Sequence, residues 1–147
     1  MLGRDGAPKE YFSEEVHRDV IELIRERAGT VHIITALDLL AVVIALDIWQ
    51  QEYVYRRLGV AVDNDAAKCA MVNAGSAAVA LRVILRKVVE LDGRPPAFRW
   101  ALRDPSARNW ADRPSRHELG QPKAAGARRR RVSWEGLGIR SWFAHLS

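Results

Sequence analysis

The sequence predicts an α/β domain, because short runs of β-branched and apolar residues alternate with longer stretches of helical character. The strand-like runs cover residues 30–34, 58–62 and 97–102, and apolar residues at helical spacing follow the first two. The chain has 147 residues, of which 48% are hydrophobic and 28% charged. This length and composition suit one globular domain with its own core.

Residues 1–29 are predicted to form an N-terminal segment with one amphipathic helix. Tyr11 and Phe12 are expected to end a short strand, and Ser13 to cap the helix, which has acidic residues in its first turn. The helix is predicted to end near residues 28–29, and the apolar side chains recurring along it are Val16, Val20, Leu23 and Ile24.

A strand is predicted over residues 30–34, followed by a long helix that Thr35 caps and that ends near Glu52. The run from residue 31 to 49 is almost wholly apolar, but Asp38 and Asp47 interrupt it. Each aspartate would cost about 2.5–3.5 kcal/mol near a bilayer centre. A helix buried in a globular protein is therefore favoured, and no membrane partner is expected.

The cellular location predicted from the sequence is intracellular, either cytoplasmic or nuclear. The first ten residues lack the apolar run of a signal peptide. The single cysteine, Cys69, permits no internal disulfide and suits a reducing compartment.

The central feature of the chain is a buried strand over residues 58–62 that ends in Asp63, Asn64 and Asp65, with a helix over residues 65–72 after it. In one interpretation these polar residues only cap the helix. In the other, Asp63 lies at the carboxyl end of a central strand, where open α/β sheets place their ligands, and its carboxylate holds a divalent metal ion.

Ser76 is predicted to cap the next helix, over residues 77–91, and a strand over 97–102 and a loop over 103–116 follow. From residue 118 the composition changes to glycine, alanine, proline and four consecutive arginines, Arg128, Arg129, Arg130 and Arg131. Residues 118–147 are predicted to be a disordered basic tail. The net charge of +5 also favours a polyanionic partner.

Three segments and one turn of residues 30–117 resemble ribonuclease H-like domains of retroelement (reverse transcriptase) polyproteins. The stretch from Thr35 to Trp49 looks like the first helix of that family, and Val60 to Ala67 resembles its strand ending in Asp-Asn or Asp-Ser. The turn 73–76 matches the family's turn before the next helix, and Ser106 to Arg116 is similar to its closing signature. The three segments occur in the family's order.

The resemblance implies an incomplete ribonuclease H-like mixed sheet flanked by helices. It also implies a metal-dependent nuclease that cleaves RNA in RNA–DNA hybrids with Mg²⁺ or Mn²⁺. Asp38, Asp63 and Asp112 align with three of the family's four catalytic, metal-binding acids. The resemblance assigns contacts with an RNA–DNA hybrid or DNA to Asn64, Ser76, Asn109 and Arg116, and the basic tail adds Arg128–Arg131.

Two departures predict impaired cleavage. The family's first-strand aspartate has no counterpart before Tyr11, so the chain is expected to be truncated at its N-terminal side relative to the family. Asp38 stands where the family has glutamate, which reaches further by one methylene. Metal sites are sensitive to displacements of about 1 Å.

Two other functions stay open at this point. One is a non-catalytic nucleic-acid-binding or interaction protein that uses its basic surface and arginine-rich tail. The other is a small structural α/β domain in which every acid is a helix cap. Loss of metal-dependent cleavage in Asp63→Asn distinguishes the nuclease from both.

Overall fold

The computed structural model describes residues 1–2, 7–28, 32–53, 57–92, 98–103, 111–112, 116 and 118–144, with the backbone alone at 28, 92, 98–100 and 103. The chain is of the α/β class, as predicted. The strands are β1 (Glu10–Tyr11), β2 (Arg57–Val62), β3 (Phe98–Arg103) and β4 (Arg128–Arg129). The helices are α1 (Arg18–Ala28), α2 (Ile33–Ile48), α3 (Gln50–Tyr53), α4 (Asp65–Asn73), α5 (Val79–Asp92), α6 (Gly120–Ala124), α7 (Trp134–Leu137) and α8 (Ile139–Phe143).

The described strands form two separate two-stranded sheets, and both sheets are parallel. In one sheet β1 pairs with β4, so that Glu10 lies opposite Arg128. In the other β2 pairs with β3, and Val62 lies opposite Arg103. The described strands therefore do not form the predicted mixed sheet, because they are divided between two parallel pairs. One of these pairs joins β1 to β4, which lies in the segment predicted to be disordered.

Helix α2 is at the centre of the fold. It packs against α5, and α1 and α4 lie beside it. Leu39, Leu40 and Val43 of α2 are almost fully buried, together with Ile84 and Val88 of α5. An apolar helix of this kind can be stable in water only when neighbours cover most of its circumference. At 16 residues α2 is the longest described helix, and none of the described helices is long and apolar enough to cross a membrane.

Strand β2 alternates between exposed and more buried residues, as expected where helices cover one face of a sheet. Leu58, Val60 and Val62 contribute to the core, and α4 packs against both β2 and β3. This packing places the carboxyl end of β2 close to the amino-terminal half of α2. The predictions for β2, α4 and β3 are confirmed to within one or two residues at each end.

The start of α2 corrects a prediction. Residues 30–31 lie outside the described part of the chain, but Ile33 and Ile34 belong to the helix rather than to a strand. Thr35 lies inside α2 and is buried, and His32 occupies the capping position without a side-chain cap bond. Ile33 and Ile34 are β-branched, but burial of the helix that they begin outweighs the local strand preference.

The observed start of α1 corrects a second prediction, that Ser13 caps this helix. The helix begins at Arg18 instead of next to Ser13. Ser13 is buried, and its backbone carbonyl accepts a hydrogen bond from Nη2 of Arg129 at 2.6 Å. This contact with a residue far along the chain holds residue 13 outside the helix.

The prediction of a disordered tail over residues 118–147 is wrong for the described residues 118–144. Four apolar side chains of that stretch lie in the hydrophobic core, namely those of Leu137, Ile139, Trp142 and Phe143. They are few, but α8, which carries three of them, packs against α1 and α5. Burial of large aromatic side chains contributes enough free energy to order a short segment.

Candidate functional site

The site lies at the turn between β2 and α4. Asn64 has extended backbone angles, φ −87° and ψ 112°, and its side-chain Oδ1 accepts hydrogen bonds from the amides of Ala66 (2.9 Å) and Ala67 (3.2 Å). These bonds satisfy two of the amides that the first turn of a helix leaves without a partner. The predicted cap at the start of this helix is confirmed.

The other half of the Asn64 amide contacts α2. Its Nδ2 donates a hydrogen bond of 2.7 Å to Oδ2 of Asp38, and Oγ1 of Thr35 lies at 3.4 Å from the same nitrogen. Asp38 is half-buried in the second turn of α2. One amide group therefore caps α4 and holds the carboxylate of α2 against the end of β2.

The charge of Asp63 acts on the carboxyl group of Asp38. Burial raises the pKa of Asp38, the hydrogen bond from Asn64 lowers it, and the negative charge of Asp63 raises it further, so that the net pKa lies above the ordinary value. The side chain of Asp63 is exposed at the end of β2. Two carboxylates that repel each other are a suitable donor pair for a divalent cation, which relieves the repulsion.

The third predicted acid, Asp112, takes part in a different interaction. Its Oδ1 is 3.1 Å from Nη2 of Arg116, which forms an ion pair with it. Within the described ranges no group of three or more His, Cys, Asp or Glu is placed to hold a metal ion. The site that joins Asp38, Asp63 and Asp112 therefore stays a prediction, and so does the role of Asn109, which lies outside the described residues.

Ser76 is occupied in a local turn. Its hydroxyl accepts a hydrogen bond of 3.2 Å from the amide of Ala78, just before α5 begins at Val79. The prediction that Ser76 caps a helix starting at residue 77 is therefore wrong: α5 starts two residues later, and the Ser76 bond closes a turn before it. Contacts of Ser76 and Arg116 with nucleic acid remain predictions that the structure does not test.

The four consecutive arginines are not equivalent. Arg128 donates to Oε1 of Glu10 through Nε at 2.8 Å, and Arg130 reaches Oε2 of the same residue at 3.4 Å. Arg129 contacts the carbonyl of Ser13 and the carboxylate of Glu14. Arg131 is exposed. Three of these four arginines thus make ion pairs within the chain, as Arg116 also does.

Glu10 is the residue that sequence reasoning missed. Its side chain is only 9% exposed, and besides the arginines it accepts a 2.7 Å hydrogen bond from Nε1 of Trp49. Burial alone would raise the pKa of Glu10, but hydrogen bonds from Arg128 and Trp49 and the charges of Arg128 and Arg130 outweigh it and lower the pKa. No local signal identifies this cluster, because its members are separated by 39 to 120 positions in the sequence.

Comparison with known proteins yields no relative: no protein-family model, no curated protein and no solved structure matches the chain.

Proposed function

We propose that this chain is a ribonuclease H-like domain fragment of a retroelement polymerase, whose Asp38 and Asp63 bind Mg²⁺ or Mn²⁺ and whose cleavage of RNA in RNA–DNA hybrids is impaired. The observation that carries the proposal is the 2.7 Å hydrogen bond between Asn64 and Asp38. It joins the helix and the strand end that the family resemblance identifies as two acid-bearing elements.

The donor set suits a hard cation. Carboxylate oxygens are the ligands that Mg²⁺ and Mn²⁺ favour, and Asp38 and Asp63 interact electrostatically. When bound, such an ion supplies an activated water and stabilises the departing oxygen. Asn64 holds the carboxylate of Asp38 in place, and this limits the side-chain ordering that binding would otherwise require.

Impairment follows from the number of acids. The family uses four carboxylates, whereas Asp112 here forms an ion pair with Arg116, and Asp38 stands where the family has the longer glutamate. Fewer negative ligands bind a divalent cation more weakly. Weak cation binding and slow cleavage are therefore expected together.

The test is binding of Mn²⁺ followed by electron paramagnetic resonance, with cleavage of a labelled RNA–DNA hybrid as the second readout. Asp63→Asn is expected to weaken Mn²⁺ binding by about tenfold or more, equivalent to about 1.4 kcal/mol, and to abolish cleavage. Asp47→Asn is the matched control, because Asp47 is an exposed aspartate of the same helix as Asp38. Binding that is absent in the wild type, or equal in all three proteins, contradicts the proposal.

A non-catalytic nucleic-acid-binding function is the second candidate, favoured by exposed cationic side chains. Arg82 and Arg86 lie on the surface of α5, and Arg131 is exposed after β4. This function predicts salt-sensitive binding that survives Asp63→Asn and falls when the arginines are replaced. Measuring hybrid binding and hybrid cleavage on the same variants separates the two candidates.

A further inference from the structure

A buried acid outside the proposed metal site connects distant parts of the chain. Glu10 of β1 accepts hydrogen bonds from Trp49, just after α2, and from Arg128 of β4, and Arg130 lies beside it. Arg130 is also 3.7 Å from a carboxylate oxygen of Glu52 in α3. A buried carboxylate needs such donors, because desolvation of an unpaired charge is very costly.

The segment of residues 128–143, called the strap below, is attached to the rest of the chain along its length. The amide of Arg128 donates to the carbonyl of Lys9, and the amide of Arg130 donates to that of Tyr11, each at 2.8 Å. Farther along, Arg140 pairs with Asp19 of α1 at 2.7 Å. The buried side chains of α7 and α8 then anchor the strap in the core.

The strap therefore holds its arginines against carboxylates. Guanidinium groups bind carboxylate and phosphate oxygens through the same N–H donors, so one guanidinium cannot fully satisfy both at once. The side chain of Arg128 is still 70% exposed, that of Arg129 48% and that of Arg130 32%. The donors that pair with the acids and with the Ser13 carbonyl are occupied in this state, so phosphates must displace these partners to bind there.

We propose that Glu10, Glu14 and Glu52 hold Arg128–Arg130 in a closed, autoinhibited state, and that nucleic-acid phosphates bind these arginines only when residues 128–130 separate from β1. Glu10 is the latch, since it contacts two of the three arginines. The inference rests on the nucleic-acid partner of the proposed function, but it requires neither a metal ion nor cleavage.

The first test compares Glu10→Gln with Glu26→Gln. Both replacements raise the net charge by one, but Glu26 is an exposed residue of α1 whereas Glu10 is the latch. Binding of a fluorescein-labelled single-stranded oligonucleotide is followed by anisotropy in EDTA at several salt concentrations. EDTA excludes any contribution from Mg²⁺. This test can therefore fail while the metal-site proposal stands, and the metal-site proposal can fail while this test succeeds.

Releasing Arg128 and Arg130 adds two phosphate contacts, and each contributes about 0.7 to the salt slope for single strands. Glu10→Gln is therefore expected to steepen the slope of log K against log salt by about 1.4, and to tighten binding on the order of tenfold at 0.1 M salt. Glu26→Gln should leave the slope unchanged. Equal salt slopes in the two variants overturn the proposal. Tighter binding by Glu10→Gln that persists when Arg128 and Arg130 are also replaced by Gln overturns it as well.

The second test needs no substitution and decides the matter if Glu10→Gln does not fold. Hydrogen exchange is measured on the wild-type protein at the amides of Arg128 and Arg130, which pair with β1. Saturating oligonucleotide is expected to accelerate exchange at both amides, because residues 128–130 must separate from β1 for binding. Unchanged or increased protection of these amides at saturation overturns the proposal.

Discussion

Substitution of Asn64 tests whether one amide group joins two helices. Asn64→Ala removes both roles of the side chain, namely the cap on α4 and the hydrogen bond to Asp38. Loss of an asparagine cap costs about 1 kcal/mol. A hydrogen bond to a charged group contributes about 1.5–3 kcal/mol, which we discount to about 1 kcal/mol because solvent reaches the half-buried Asp38. The expected cost of Asn64→Ala is therefore about 2 kcal/mol.

A second replacement separates the two contributions. Asn64→Ser keeps an oxygen that caps the helix but is too short to reach the carboxylate of α2, so it should cost about 1 kcal/mol, the share of the hydrogen bond to Asp38 alone. The free energy of unfolding is measured by urea denaturation, with circular dichroism and tryptophan fluorescence as two probes. Wild-type stability in Asn64→Ser would refute the reasoning, because the bond to Asp38 would then contribute nothing. Equal destabilisation by Asn64→Ser and Asn64→Ala would also refute it, because the cap on α4 would then contribute nothing.

Three more perturbations address other parts of the fold. Ala74 ends α4 in the left-handed region with φ 47°, so Ala74→Gly should raise the free energy of unfolding by about 0.5–1 kcal/mol, measured in urea. Phe143 of the strap is 3% exposed, and Phe143→Ala should cost about 3–5 kcal/mol by the same measurement, whereas a solvated tail would lose nothing. The pKa of Asp38 is raised, so its carboxyl group keeps its proton to higher pH in the folded state than in the unfolded state. The free energy of unfolding therefore falls as pH rises from the ordinary aspartate pKa through the raised value. The stability of Asp38→Asn relative to the wild type should therefore improve with increasing pH across that window, and a constant difference in urea titrations would contradict this.

The sequence predicts well where the signals are local. The strand β2, the cap at Asn64, the helix α4 and the strand β3 follow from β-branched runs, a polar triplet and residues close in the chain. These features depend on few long-range contacts.

The sequence predicts poorly where distant segments meet. Ser13 has the chemistry of a helix cap, but Arg129, 116 positions later, binds its carbonyl and keeps it extended. Four consecutive arginines are typical of a solvated tail, and the sequence alone does not show that distant acids pair with them. Tertiary contacts of this kind override local preference, and no periodicity in a single sequence reveals them.

The parallel pairing of Glu10–Tyr11 with Arg128–Arg129 has a consequence for how the chain acquires its structure. Contacts between residues so far apart raise the contact order, and high contact order slows folding. During synthesis the earlier helices emerge from the ribosome long before Trp142 and Phe143 exist to cover them. The nascent protein therefore exposes apolar helix surface until translation of these residues, and chaperone binding in that interval is expected.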